Sequence, residues 1–345
     1  MLRPSRRFRQ LSVITLVIAG GALLARSVRR RVTEMQPHID RVAPELRSPV
    51  LHLRLDVDQR RLATVRRLTG LARLATTGSE VGEHVVENQS GRTGPRVLTY
   101  QSAGRERPSG ALLWIHGGGM VLGLPEQDHG WCTEVADELG VLVASVDYRL
   151  APEHPFPAGL DDCMAALQWL HDHATDLGVD PTRIAVGGAS AGAGLAASVC
   201  QRARDENGPE ICFQLLNYPM LDDRTVLTDD HEGRGAFVWT PASNRFGWTA
   251  YLGSAPTEDD DRAHAAPGRT EDLSGLPPAW LGVGDLDLFY PEDVDYATRL
   301  EDAGVACTLH TVEGMYHGAD GFVAGAPSMR DYRASMISAL RGAIA

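Results

Sequence analysis

Short apolar runs alternate with longer amphipathic stretches from about residue 96 to the end of the chain. The runs have the length of buried strands, and the stretches between them repeat apolar residues at helical spacing. The predicted strands are Arg96–Tyr100, Ala111–Ile115, Val141–Val146, Arg183–Val186, Ile211–Leu216, Pro278–Val283 and Ala306–Thr311. The predicted helices are Asp128–Leu139, Gly159–Ala174, Ala191–Arg204, Glu292–Ala303 and Ser328–Ala343. This order predicts an α/β fold with a mainly parallel central sheet flanked by helices.

Two regions interrupt this alternation. Residues 36–85 are helix-like, and Asp56 is a plausible N-terminal cap for an arginine-rich amphipathic helix that runs through Leu68. Residues 221–265 are polar and irregular, with aromatic residues that include Trp239, Phe246, Trp248 and Tyr251. Insertions at the carboxyl ends of strands cover the active-site face of an open sheet, so we expect the two regions to form a helical cap together. The aromatic residues either line a substrate pocket in that cap or form its own core.

The N-terminal segment is separate from this pattern. It contains an apolar run of fifteen residues, Leu11–Ala25, with arginines on both sides. As a helix, this run would span roughly 22 Å, less than the roughly 30 Å hydrocarbon core of a bilayer. It is interpreted as a membrane anchor, as a secretory signal, or as a segment outside the catalytic unit, which includes translation starting at Met35. We expect a cytoplasmic protein, with membrane association through this run as an alternative. The predicted domains are the N-terminal segment 1–35, a cap from 36–85 and 221–265, and a catalytic α/β domain from 86–220 and 266–345.

A glycine-rich turn follows each of two predicted strands. The strand Arg183–Val186 leads into Gly188–Gly192, with the sequence Gly-Ala-Ser-Ala-Gly, and the helix Ala191–Arg204 leads out of it. Strand, tight turn and helix in this order predict a nucleophile elbow that presents the hydroxyl of Ser190. The pentapeptide alone is weak evidence, because about 0.2 such matches are expected from composition. A helix start capped by the serine is the alternative.

The second turn has the sequence His-Gly-Gly-Gly at positions 116 to 119. Glycines leave backbone N–H groups accessible, so the turn is typical of an oxyanion hole to which Gly117, Gly118 and Ala191 would contribute their amides. A phosphate-binding loop is the alternative, but the chain has no G-x-x-x-x-G-K-[ST] motif and no lysine to complete one. His116 is interpreted as a structural anchor of the loop rather than as a catalyst.

A third element, Tyr148–Ala158, lies between the two turns and reads Tyr-Arg-Leu-Ala-Pro-Glu-His-Pro-Phe-Pro-Ala. In their order and spacing, the three elements resemble the motifs of the bacterial hormone-sensitive-lipase-like esterases (family IV) of the α/β-hydrolase superfamily. The resemblance covers most of the chain after its N-terminal segment. It implies an α/β-hydrolase fold with a helical cap and hydrolysis of carboxylic esters without a cofactor. The middle element is expected to brace the oxyanion loop, with no direct chemistry for Glu153 or His154.

The other members of a catalytic triad are expected downstream of the serine, first an acid and then a histidine. Asp285 and Asp287 both follow the sixth predicted strand, and the resemblance aligns Asp287 with the catalytic acid of the family. His317, just beyond the last predicted strand, aligns with the catalytic histidine, whereas His310 lies within that strand and is interpreted as structural. The predicted triad is Ser190, Asp287 and His317.

Composition narrows the classes of function. Of the 345 residues, 43% are hydrophobic and 23% charged, which suits a globular protein with a large core. The formal net charge is −12 even though the N-terminal segment is basic, so the acidic body argues against a nucleic-acid partner. All 33 Lys or Arg positions are arginine, which excludes lysine-based catalysis. The five cysteines are odd in number and widely spaced, which favours free thiols over disulfides or a metal site.

These patterns predict a serine carboxylesterase that hydrolyses short- to medium-chain esters through an acyl-enzyme, with neither metal nor cofactor. The same triad acting on a lactone, an amide or an acyl-transfer substrate is one alternative. A ligand-binding relative without catalysis is another, although all three triad positions are filled. The expected partner is a small-molecule ester, and a homodimer is compatible with the sequence. Because His317 must be neutral to accept a proton, activity is expected to fall in acid.

Overall fold

The computed structural model describes residues 33–53, 56–70, 81–87 and 93–345. The apolar run Leu11–Ala25 lies outside these ranges. Within them, no helix combines the length and the apolar composition needed to cross a bilayer. The five cysteines all fall in the last range and are free thiols, three of them buried, in agreement with the prediction from their number and spacing.

Strands and helices alternate along the described part of the chain. The strands are β1 (Val81–Glu87), β2 (Thr93–Tyr100), β3 (Ser109–Ile115), β4 (Leu142–Asp147), β5 (Val179–Ala189), β6 (Phe213–Asn217), β7 (Ala279–Gly284) and β8 (Cys307–Val312). The helices are α1 (Leu62–Thr69), α2 (His129–Leu139), α3 (Ala158–Asp172), α4 (Ala174–Leu177), α5 (Ala191–Asp205), α6 (Pro241–Leu252), α7 (Tyr290–Asp302), α8 (Ala319–Phe322) and α9 (Pro327–Ile344). Residues 33–41 are also helical, and 3₁₀ turns lie at Pro44–Leu46, Pro49–His52, Pro125–Asp128, Asp223–Leu227 and Pro267–Arg269.

The strands form one sheet in the order β1-β2-β4-β3-β5-β6-β7-β8. The pairs β1·β2 and β2·β4 are antiparallel, and every pair from β4·β3 to β7·β8 is parallel. In this register, Ile115 of β3 pairs with Gly188 of β5, which pairs on its other side with Leu216 of β6. The carboxyl ends of these strands therefore lie side by side, at the edge where open α/β sheets bind ligands. The predicted mainly parallel sheet flanked by helices is confirmed.

All seven strands and all five helices predicted from the apolar pattern are present, with ends that differ by a few residues. The central strands were recognisable because helices cover both faces of the sheet. Every residue of β3 and of β7 is buried. A strand buried on both faces has a continuous apolar run rather than an alternating one.

The expectation that residues 36–85 are helix-like is wrong at their end, where β1 begins. This strand pairs with β2 alone and forms an edge of the sheet. Its Val86 is buried whereas its neighbour Val85 is 62% exposed. An edge strand that faces solvent on one side has no continuous apolar run, so hydrophobic periodicity did not distinguish it from a helix.

The insertion 221–265 looks irregular in sequence, yet it forms helix α6, in line with the helical cap expected for it. The hydroxyl of Thr240 accepts a hydrogen bond from the N–H of Ser243 (3.2 Å), and Pro241 occupies the first helical position. The helix buries polar residues as well as apolar ones, including Ser243 and Asn244. Because its buried face mixes polar and apolar residues, the sequence pattern did not single out a helix at these positions.

Asp56 does not cap helix α1, contrary to the prediction. The turn before this helix is held by Asp58, whose carboxylate accepts bonds from two backbone N–H groups (2.8 and 2.9 Å). The carboxylate of Asp56 instead accepts a bond from the hydroxyl of Thr240 (3.0 Å), and the neighbouring N–H of Val57 donates to the hydroxyl of Ser243 (2.9 Å). These bonds join the N-terminal region to the insertion, which sequence periodicity cannot reveal because the partners are far apart in the chain.

Helix α7 carries two adjacent carboxyl groups into the core. Glu292 accepts bonds from two backbone N–H groups of the loop after β6 (2.7 and 3.2 Å) and from the hydroxyl of Thr225. Asp293 is fully buried, and neither of its carboxyl oxygens has a hydrogen-bond partner in the described ranges. Burial, together with the nearby Glu292 and Asp287, raises the pKa of Asp293 well above its usual value. Ionised Asp293 therefore opposes folding.

Replacing Asp293 with asparagine removes the cost of ionising this buried group. Its pKa is higher in the folded than in the unfolded protein, so the wild type loses stability as the pH rises from about 4 toward the folded-state pKa. Asp293→Asn is expected to raise the free energy of unfolding by about 1–3 kcal/mol at pH 8, and by less at pH 5. Thermal denaturation at both pH values measures the change. Asp302→Asn, at an exposed position of the same helix, is the control, and equal effects of the two substitutions would contradict the assignment.

Candidate active site

Ser190 stands in a sharp turn between β5 and α5. Its φ is 56°, a left-handed value that a serine adopts only where surrounding contacts enforce it. The N–H of Ser190 donates to the carbonyl oxygen of Asn217 at the end of β6 (2.9 Å). Ala191, the third predicted oxyanion donor, follows as the first residue of α5. A Cβ atom on Gly192 would overlap the carbonyl oxygen of Ile115, so only glycine allows the helix to approach β3 this closely.

The three predicted triad residues form a continuous chain of hydrogen bonds. The hydroxyl of Ser190 donates to Nε2 of His317 (2.9 Å), and the Nδ1–H of His317 donates to Oδ2 of Asp287 (2.7 Å). The other carboxylate oxygen of Asp287 accepts a bond from the N–H of Phe289 (3.0 Å). Ser190 and His317 are each 6% exposed, and Asp287 is fully buried. This arrangement can move a proton from the serine to the imidazole while the carboxylate orients the ring.

Aromatic rings hold the imidazole of His317 from two sides. The ring of Tyr218 meets it edge-on at a centroid distance of 4.8 Å, and that of Phe289 at 5.3 Å. The hydroxyl of Tyr218 donates to the buried carboxylate of Asp320 (2.9 Å), which keeps the tyrosine in this position. The imidazole therefore has one orientation that satisfies both the aspartate and the serine.

The structure separates the predicted triad residues from their alternatives. Asp285 accepts a bond from the backbone N–H of Gly314 (2.7 Å), in the loop that carries the histidine, and does not contact the imidazole. His310 lies on β8, where its ring packs against Trp280 at 6.0 Å and Tyr332 at 5.4 Å. Both alternatives thus have structural contacts of their own.

The loop that begins at His116, called the oxyanion loop below after its predicted role, lies beside the serine. A Cβ atom on Gly117 would be 3.4 Å from the Cβ of Ser190, and Gly118 has a φ of 128° that a residue with a side chain rarely adopts. The ring of His116 is buried and stacks on Tyr148 at 4.3 Å, and the tyrosine hydroxyl donates to the His116 carbonyl oxygen (3.1 Å). Burial lowers the pKa of His116, which keeps the ring neutral. These contacts give His116 a structural place in the loop.

Arg66 of helix α1 connects the oxyanion loop to the middle motif. Its guanidinium donates to the carbonyl oxygens of Val121 (2.8 Å) and Ala151 (2.7 Å), and to the carboxylate of Glu153 (2.8 Å). The N–H of Ala151 donates in turn to the carbonyl oxygen of Met120 (3.0 Å). The middle motif therefore contacts the oxyanion loop, as expected, and Arg66 adds a second support to the same place. We call these contacts of Arg66 the Arg66 clasp.

A cavity of about 690 Å³ opens beside Ser190. Its walls are formed by residues around the predicted triad, by α1 and the residues before it, and by the insertion 221–265. The apolar residues on its walls include Val57, Val65, Leu122, Val238, Trp239 and Phe322. Gly117, Gly118 and His317 also line it, so the groups predicted to react face the same space.

The aromatic residues that the sequence singled out in the insertion divide between the two alternatives that it left open. Trp239 lines the cavity, packs against the backbone of Gly119 and donates its indole N–H to the side chain of Asn244 (3.2 Å). Trp248 and Tyr251 are buried and meet edge-on at 6.0 Å. Phe246 packs against the core and is only partly buried.

Sequence reasoning missed two residues of this site, Arg66 and Asp128. Arg66 belongs to an arginine-rich stretch, and nothing in the sequence indicates which of these arginines points inward. Asp128 precedes α2 like an ordinary helix start, yet it lines the cavity, and its carboxylate accepts a bond from the indole N–H of Trp114 on β3 (2.8 Å). Burial raises the pKa of Asp128 to about 6. Asp128 follows Trp114 by fourteen positions and gives no local signal of this contact, because only the fold brings the two side chains together.

Comparisons with known proteins agree with this architecture. A family model described as alpha/beta hydrolase fold matches residues 112–320. Esterase LipI of Mycobacterium tuberculosis is 34% identical over 309 residues, which cover 89% of this chain and 95% of that protein. Carboxylesterase NlhH of the same species is 38% identical over 239 residues, which cover 68% of this chain and 73% of that protein.

Solved structures are similar as well. A bacterial heroin esterase has a TM-score of 0.81 and 39% sequence identity, covering 88% of this chain and 98% of its own. Esterase LipW from Mycobacterium marinum has a TM-score of 0.79 and 36% identity, covering 88% of this chain and 96% of its own. The family model spans more than half of the chain, and the resemblance seen in the motifs is confirmed. This chain belongs to the α/β-hydrolase family, in its hormone-sensitive-lipase-like branch.

Proposed function

We propose that this chain is a serine carboxylesterase that hydrolyses short- to medium-chain esters of small molecules. The observation that carries the proposal is the hydrogen-bond chain from Ser190 through His317 to Asp287 beside a cavity of about 690 Å³. The names of the relatives support the same reaction, since they are an esterase and a carboxylesterase. They favour an ester over a lactone, an amide or an acyl-transfer substrate.

In the proposed mechanism, the hydroxyl oxygen of Ser190 attacks the ester carbonyl carbon while Nε2 of His317 takes the hydroxyl proton. Asp287 orients the imidazole and stabilises its protonated form. His317 then donates the proton to the leaving alcohol, and the acyl group stays bound to the serine. Water attacks this acyl-enzyme as the same histidine accepts its proton, which releases the carboxylic acid and restores the hydroxyl of Ser190.

The developing negative charge on the carbonyl oxygen needs donors that are already in place. We assign this role to the backbone N–H groups of Gly117, Gly118 and Ala191, each expected to contribute on the order of 3 kcal/mol to transition-state stabilisation. The short separation between Gly117 and Ser190 supports the assignment. So does the position of Gly117 and Gly118 on the cavity wall.

The cap is assigned to the N-terminal region before β1 and to the insertion 221–265. Both supply walls of the cavity, through Val57 and Val65 from the first and Trp239 from the second. The hydrogen bond from Val57 to Ser243 joins the two regions. A mostly apolar cavity of this volume has the size of a small-molecule site, which supports a preference for short or medium acyl chains.

Replacing Ser190 with alanine removes the nucleophile and is expected to reduce kcat for p-nitrophenyl butyrate by at least about 10⁴-fold. The wild type, assayed with p-nitrophenyl esters from acetate to palmitate, should show its highest kcat/KM at or below octanoate. Circular dichroism of the variant serves as the control for folding. Hydrolysis retained by Ser190→Ala would overturn the mechanism, and an optimum at palmitate would overturn the chain-length assignment.

The two neighbouring aspartates provide a matched pair of variants. Asp287→Asn removes the charge that holds the imidazole tautomer and is expected to lower kcat by about 10³- to 10⁴-fold. Asp285→Asn keeps a hydrogen-bond acceptor for Gly314 and should lower it less than tenfold, since Asp285 contacts the loop backbone. Steady-state kinetics of both variants with one ester decide the assignment, and a larger loss in Asp285→Asn would reverse it.

The Arg66 clasp is expected to act on the oxyanion loop. Arg66→Met removes its three hydrogen bonds and should lower kcat by about tenfold, with a smaller change in KM, because the loop amides matter most in the transition state. A trifluoromethyl ketone, which forms an oxyanion on the serine, should bind more weakly by a similar factor. Arg67→Met, at an exposed position of the same helix, is the control. A loss of thermal stability with unchanged kcat and inhibitor affinity would show a purely structural role.

A further inference from the structure

Asp128 is one of the residues that line the cavity containing Ser190. The carboxylate accepts a bond from the indole N–H of Trp114 (2.8 Å). The neighbouring Gln127 donates to the carbonyl oxygen of Gly117 in the oxyanion loop (3.3 Å), so this part of the wall is connected to the reacting region. The proposed ester hydrolysis makes no use of Asp128.

The surroundings of Asp128 contain no counter-ion for its charge within the ranges that the structure describes. The groups that act on its ionisation are Trp114 and Gln127, which are neutral, and Asp320, which is acidic. The charge of Asp128 in turn contributes to raising the pKa values of Tyr100, Cys132, Tyr148 and Tyr218. Burial raises the pKa of Asp128 to about 6, so the group is mostly ionised at pH 8.

The cavity wall does contain a guanidinium, that of Arg61, but it is already near other carboxylates. It lies 4.0 Å from a carboxylate oxygen of Asp56 and 3.8 Å from one of Asp58. Asp56 lines the cavity as well. Among the described residues that line the cavity, the carboxylates of Asp56 and Asp128 outnumber this one guanidinium, and the groups that act on the charge of Asp128 are neutral or acidic.

We propose that Asp128 is a specificity-determining residue that selects esters carrying an ammonium group, which pairs with its carboxylate while the ester carbonyl lies at Ser190. This inference rests on the proposed esterase function. A partly buried carboxylate without a counter-ion is unfavourable, and a bound cation relieves that cost while forming a charge-assisted hydrogen bond or ion pair. A neutral ester of the same shape leaves the carboxylate without a counter-ion and gains nothing from it.

Two pairs of esters that match in shape and differ in charge test the proposal. The first pair varies the alcohol: choline butyrate and 3,3-dimethylbutyl butyrate. The second varies the acyl group: ethyl 4-(trimethylammonio)butanoate and ethyl 5,5-dimethylhexanoate. At pH 8, the wild type is expected to prefer the cationic member of at least one pair by about tenfold in kcat/KM. Asp128→Asn should reduce that ratio to near one, and Asp128→Glu should keep most of it.

The same ratio in the wild type gives a measurement that does not depend on any variant. Both esters of a pair react through the same Ser190 and His317, so the pH dependence of this shared chemistry cancels in the ratio, and protonation of Asp128 remains. The preference for the cationic ester should therefore fall as the pH is lowered from 8 to 5. Asp176→Asn, which makes the same change of charge at an exposed position of α4, should leave the ratio at its wild-type value.

The outcomes distinguish this inference from the function on which it rests. If the neutral esters are hydrolysed but neither pair shows a cationic preference, Asp128 does not select for charge and the inference fails alone. A preference that persists in Asp128→Asn, or that falls equally in Asp176→Asn, would also overturn it. If no ester of either pair is hydrolysed and Ser190→Ala changes nothing, the esterase function itself fails and the inference fails with it.

Discussion

The approach of helix α5 to the end of β3 sets the geometry of the whole reactive region. Glycine at position 192 lets the helix lie against the carbonyl oxygen of Ile115, and the chain must then turn through Ser190 with a φ of 56°. The loop that starts at His116 continues directly from that same strand end. One backbone contact between two adjacent parallel strands and a helix thus places both Ser190, the proposed nucleophile, and the glycine turn beside it.

Partly buried charged side chains hold the loops around this contact. The Arg66 clasp binds the oxyanion loop and the middle motif, Glu292 binds the backbone of the loop after β6, and Asp285 binds the loop that carries His317. Each of these side chains satisfies backbone groups that no strand or helix can pair. The sheet fixes where each loop begins and ends. The charged side chains fix the conformation of the loop in between.

The sequence was most informative where burial is continuous and where chemistry requires fixed residue types. The fully buried β3 and β7 were found from apolar runs, and the motif around Ser190 led to the residues that the structure brings into hydrogen-bond contact with it. Edge strand β1 was missed because it has no continuous apolar run, and helix α6 because its buried face mixes polar residues with apolar ones. Asp128 was missed because its partner Trp114 is on a strand, so that only the tertiary fold reveals the contact.

The packing of Trp239 on Gly119 has an evolutionary consequence. The same indole forms part of the cavity wall and covers the backbone of the oxyanion loop, so a mutation that widens the cavity at this position also removes support from the loop. Val57 and Val65 line the cavity from the N-terminal region, and a change at either position leaves this indole in place. Natural or laboratory selection for bulkier substrates should therefore reach the N-terminal wall before it reaches the tryptophan.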